Sequence, residues 1–133
     1  MTFLDLSPMS FQSRCFMVLG AVSAALSVAL SAAAAHVPAL QEGGASFAAS
    51  LDQQQLHSLG LVLVGVVLER RHTLWLAAAG WLMVAGLLLF CLNIDARVLW
   101  GFEGTRALVP WGGSAFIVSW LALAVGVLKP QRV

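Results

Sequence analysis

The residues in this chain that could do chemistry are few. His36, Gln54, His57 and Asn93 are polar side chains set inside, or at the ends of, long apolar runs, and together they outline a polar cluster. A histidine exchanges a proton near neutral pH, and amide side chains beside it could orient the ring or a small solute. The groups needed to go further are missing. His36 and His57 lack an acid or a third ligand at a useful spacing, and there is no H-E-x-x-H, G-x-S-x-G or glycine-rich phosphate loop. The chain therefore reads as non-enzymatic, with no cofactor and no metal. Cys15 and Cys91 lie in or beside apolar runs without C-x-x-C spacing, which fits buried thiols better than a disulfide framework or a zinc site. Net charge is +1 and the basic residues form no stripe, so nucleic acid is not an expected partner.

These residues sit in a chain that is 60% hydrophobic and 10% charged, where soluble domains carry about 25% charge. A soluble fold of this length could not cover that much apolar side chain, so a lipid bilayer is the expected surrounding. Four runs, 16–35, 49–68, 73–93 and 109–128, each approach the roughly 20 residues that cross ~30 Å of hydrocarbon. They fill one membrane domain, 1–133. The second run is the weakest, because extending its continuously apolar part, 59–68, back to Ala49 takes in Asp52, Gln53, Gln54, Gln55 and His57. The short link through Glu69, Arg70, Arg71 and His72 suits a helical hairpin inserted as a pair, with the polar half of the second helix covered by its neighbours. The first run ends in Ala33, Ala34 and Ala35, a pattern shared with cleaved signals. It outruns the apolar core of a signal, about 7 to 15 residues, and is expected to stay as a span.

Orientation follows from the basic residues. Arg14, Arg70, Arg71, Lys129 and Arg132 fall on one side and Arg97 and Arg106 on the other, which places both termini in the cytoplasm. The polar cluster then lies in the outer leaflet, and Val98, Leu99, Trp100 and Phe102 form an amphipathic stretch at the outer interface. On a helical wheel Gln53, Gln54, His57, Gly60 and Val64 share one face, with Asp52 and Gln55 turned away. Gln54, Asn93 or the carbonyls near Pro110 are the expected partners of His57.

Small residues mark where helices should touch. Gly112, Ala115, Ser119, Ala122 and Gly126 form a seam along the fourth run, Ser23, Ser27 and Ser31 with Gly20 and Ala24 line the first, and Ala79, Gly86 and Asn93 recur along the third. In lipid, such residues let helices approach closely. The expected fold is all-α: an antiparallel four-helix transmembrane bundle. The function favoured by these stripes is helix contact with a second copy or with another membrane protein, the alternative being a carrier or channel for protons or a small solute through the polar cluster.

The segments Ser27-Val28-Ala29-Leu30 to Ala35-His36, Gln54-Gln55-Leu56-His57, Gly86-Leu87-Leu88-Leu89-Phe90, and Pro110-Trp111-Gly112-Gly113 to Phe116 and Trp120 resemble, in that order, the small membrane family called domain of unknown function 423. The resemblance covers nearly the whole chain. It implies a multi-pass protein of the bacterial inner membrane with no established activity. The chain departs from the family pattern at Gln53 and Leu56, where tyrosines are usual, and at Cys91-Leu92-Asn93, where Ser-Gly-Ser is usual.

Overall fold

The computed structural model describes residues 9–130. Arg132, counted above among the basic residues, lies outside them. The described residues are helical with no strand: α1 (Phe11–His36), a single turn α2 (Pro38–Gln41), α3 (Gly44–Arg70), α4 (Leu74–Gly86), a π-helical turn (Leu87–Leu92), α5 (Asn93–Trp100), a 3-10 turn (Arg106–Leu108) and α6 (Val109–Leu128). The segments from α4 to α5 follow one another without a break, so the third apolar run continues past Asn93 to Trp100. Gly101 ends it with a φ of 68°, a conformation in which any Cβ is strained.

Among the described residues, three helical stretches are long and apolar enough to cross a membrane: Phe11–His36, Leu74–Trp100 and Arg106–Leu128. α3, with 27 residues, is as long but more polar, and much of its polarity is turned inward, Asp52 and Gln55 being exposed. Ser50, Gln54, His57 and Ser58 are buried, whereas Leu56, Leu59, Leu63 and Val66 are exposed. A surface helix of a soluble protein does the reverse. Polar inside and apolar outside is the arrangement that lipid favours.

Small residues set the packing. A methyl group built on Gly20 of α1 would lie 2.6 Å from the Ser58 carbonyl oxygen of α3, and one built on Gly65 would lie 2.7 Å from Met17. Residue numbers rise along α1 as they fall along α3, so the pair is antiparallel. α4 and the π turn meet α6 in the same sense: Gly126 backs onto Leu76, and Gly112 approaches the Phe90 backbone so closely that a methyl would sit 2.6 Å from its nitrogen. Gly112, Ser119, Ala122 and Gly126 are buried and Ala115 is half-buried, so the α6 seam is spent within the molecule. The serine stripe of α1 is spent likewise against α3. Phe16 couples α1 to α4 by lying over Gly80 and meeting Trp81 edge to face at 5.1 Å.

The helix ends are tied at one end of the bundle. The Ser10 hydroxyl caps α1 by accepting from the Ser13 N–H at 3.2 Å, while the Ser10 N–H donates to the Glu69 carboxylate at 2.7 Å. Hydrogen bonds from the Ser13 hydroxyl and from Ser10 hold the Glu69 carboxyl below the usual carboxylate range. Arg71 donates to the Val127 carbonyl, which joins the hairpin turn to the end of α6.

Candidate functional site

α3 is a polar hub, and each of its buried polar side chains serves a different neighbour. Toward α1, Gln54 Nε2 donates to the Ser23 carbonyl at 3.2 Å, and the Ser58 hydroxyl donates to the Ser23 hydroxyl at 2.7 Å. Gln54 Oε1 is buried without a partner among the described residues. Toward the π turn and α5, Ser50 lies 2.8 Å from an oxygen of Asp95 and 3.2 Å from the Cys91 carbonyl. Toward α6, His57 meets Phe116 and Trp120.

The histidine geometry fixes its tautomer. Trp120 Nε1 lies 3.0 Å from His57 Nε2, and an indole N–H can only donate, so Nε2 accepts. The ring hydrogen is then on Nδ1 and is donated to the Gln53 carbonyl at 2.8 Å. The imidazole is neutral in this arrangement and stacks on Phe116 with centroids 3.5 Å apart and planes 15° from parallel. A groove of about 430 Å³ opens beside it between α3 and α6, lined by Gln53, Leu56, Phe90, Gly113 and Ile117 among others. A second, almost wholly apolar cavity of about 190 Å³ lies between α1 and the π turn, next to Gln54 and Ser23.

The four residues expected to form one polar cluster are not brought together. His36 is exposed at the end of α1. Gln54 and His57 are three residues apart on α3, hence about 60° apart around the helix, and that angle separates the α1 face from the α6 face. Asn93 anchors the following loop: its Nδ2 donates to the Thr105 carbonyl at 2.6 Å, and the Thr105 hydroxyl donates back at 3.1 Å. The expected partners of His57 are also replaced. The Gln53 carbonyl one turn back takes the place of Gln54, and the register of α6 puts Trp120, rather than Pro110, level with the ring.

Ser50 and above all Asp95 were not among the expected site residues, and Trp120 was noted only for the family resemblance and not as a partner of His57. Asp95 had a signal of its own, being the one acidic residue between Leu74 and Trp100, but it lies two residues beyond the expected end of the third span.

A family model described as Protein of unknown function (DUF423) matches residues 30–113, from the last turns of α1 into α6. The chain belongs to the DUF423 family. Of the residues quoted for the resemblance, His36, Gln54, His57, Pro110, Gly112 and Gly113 fall within the matched stretch, and Ser27 to Ala29, Phe116 and Trp120 lie outside it. The UPF0382 inner membrane protein YgdD of Escherichia coli K12 is 28% identical over 128 residues, covering 90% of this chain and 94% of the relative. The UPF0382 membrane protein YwdK of Bacillus subtilis is 30% identical over 122 residues, covering 87% and 98%. A Staphylococcus haemolyticus relative, UPF0382 membrane protein SH2409, is likewise 30% identical over 122 residues. No solved structure matches. With these relatives and its apolar helices, this DUF423 chain is a multi-pass membrane protein.

Proposed function

We propose that the chain crosses the bacterial inner membrane four times, as an antiparallel helical bundle with both ends cytoplasmic, and acts through helix contact with a second copy or another membrane protein rather than by catalysis. The outward face of α1 carries this reading. The serine stripe of α1 is consumed against α3, which leaves Ala21, Ala25, Ala29 and Ala32 exposed at spacings of four, four and three along the opposite side. In lipid, a free stripe of small residues favours close approach by another helix. The fourth crossing is supported by α3 itself, whose Ser50, Gln54, His57 and Ser58 side chains are buried against neighbouring helices while Leu56, Leu59, Leu63 and Val66 face outward. Orientation is supported by Arg14, Arg70, Arg71 and Lys129 gathering at one end.

The test is oxidative cross-linking in native membranes of Ala25→Cys, made in a background of Cys15→Ser and Cys91→Ala, beside an Ile117→Cys control on the exposed face of α6. A disulfide-linked homodimer, or a specific link to another polypeptide, at Ala25→Cys and not at Ile117→Cys supports the reading. Equal cross-linking at both positions, or none, contradicts it. The carrier reading is weakened because Ser50, Gln54, His57 and Ser58 of α3 each make a hydrogen bond to another helix; solute or proton flux into liposomes that depends on His57 would restore it.

A further inference from the structure

Asp95 is nearly sealed, at 3% exposure, against Ser50 and Cys91, which are both at 0%. Its Oδ1 lies 2.8 Å from Ser50 Oγ. Its Oδ2 is buried and meets no donor among the described residues. Among the described residues no Lys, Arg or His neutralises it. An ionised carboxylate so placed, with one hydrogen bond and no counter-charge, is costly.

Counting hydrogens locates the answer. Ser50 Oγ is also 3.2 Å from the Cys91 carbonyl oxygen. A serine hydroxyl carries one hydrogen, and a carbonyl and a carboxylate both only accept. With Asp95 ionised, one of the two contacts is an approach of two oxygens with no hydrogen between them. With a proton on Asp95 Oδ1, both are hydrogen bonds: the acid donates to Ser50, and Ser50 donates to Cys91. The Cys91 thiol supplies neither hydrogen, because it points to the Ser50 carbonyl at 3.5 Å. The Cys91 carbonyl belongs to the π turn, and such turns are frequent at functional sites.

We propose that Asp95 is a proton-binding site: it is held as a neutral acid, and its proton is the ligand that joins α5 and the π turn to Ser50 of α3. None of the titratable and charged groups on the elements packed against it supplies a counter-charge. The π turn offers the Cys91 thiol, Asp52 of α3 is exposed, and Arg106 of the 3-10 turn is exposed. The inference stands apart from the assembly reading, since it concerns an internal contact and not the outer face of α1.

Infrared spectroscopy of the full chain in lipid at pH 7 tests it. The wild type should show a protonated-carboxyl C=O band that shifts down in D2O, and Asp95→Asn should lose it. The Asn amide can still donate to Ser50, so this variant should keep the fold. Ser50→Ala should retain the band and move it to higher wavenumber, because the acid loses its acceptor. A wild-type spectrum without the band, or with a band unchanged by both substitutions, overturns the proposal. If Asp95→Asn does not fold, the Ser50→Ala shift alone decides, and its absence overturns the proposal equally.

Discussion

Replacing His57 by leucine tests the contact that holds α3 to α6. The substitution keeps apolar bulk in the space beside Phe116 but removes the acceptor of the Trp120 N–H and the stacked ring pair. Hydrogen bonds between helices in membranes average ~0.6 kcal/mol and reach ~1.7, and stacked aromatic pairs contribute roughly 0.5–1.5 kcal/mol. His57→Leu should therefore cost about 1–3 kcal/mol. The hydrogen bond is isolated by a double-mutant cycle with Trp120→Phe, which keeps an aromatic ring and deletes the donor. The coupling should be about 0.6–1.7 kcal/mol. Reversible unfolding in mixed micelles with increasing SDS, followed by helical circular dichroism, gives all four stabilities. A coupling indistinguishable from zero would refute the assignment of Nε2 as the acceptor, and an unchanged His57→Leu protein would refute the contact itself.

Two neighbouring glycines should behave differently. Gly112→Ala drives a methyl into the Phe90 backbone and should cost about 1–3 kcal/mol as overpacking. At Gly113 the nearest heavy atom to an added methyl is 3.9 Å away, so Gly113→Ala should be neutral or slightly stabilising in the same assay. The two free cysteines should differ in reactivity: Cys15 is half-buried and Cys91 fully buried, so a small maleimide should label Cys15 in the folded protein and Cys91 only after denaturation, and no disulfide between them should form. The Glu69 carboxyl, held below its ordinary range by Ser13 and Ser10, stabilises the fold when ionised. That contribution is present above the usual carboxylate range and is lost as pH falls through the depressed value. The melting-temperature difference between wild type and Glu69→Gln should accordingly be present at pH 7 and close in acid; a difference that persists at full protonation would contradict the contact.

How much of this was legible in the sequence varied with the kind of signal. The fourth run is charge-free and bounded by Leu108 and Lys129, and it coincides with α6 because nothing competes with its apolar period. The α6 seam was readable for the same reason, since small residues at heptad spacing have few uses other than contact. α3 was legible only in part. Its polar residues weaken any hydropathy signal, and a wheel separates inner from outer faces without saying which neighbour each inner side chain will meet. That is why Gln54 and His57 looked like one cluster and turned out to serve α1 and α6. The π turn has no local sequence rule, and it carries the helix on past Asn93. Asp95 thus fell outside the expected span and was passed over, although a lone acid at the end of an apolar run is the kind of residue that burial makes consequential.

We propose that α3 crosses the membrane despite its polar residues, with Ser50, Gln54, His57 and Ser58 covered by protein and Asp52 and Gln55 left on its outer side. Dual-reporter topology mapping addresses it directly, with insertions near Glu42, in the Arg70 to His72 turn and near Glu103, and a fusion after Lys129. The account predicts that Glu42 and Glu103 report the outside while the turn and the Lys129 fusion report the cytoplasm. Finding Glu42 and the Arg70 to His72 turn on the same side would mean that α3 does not cross, and would contradict the account.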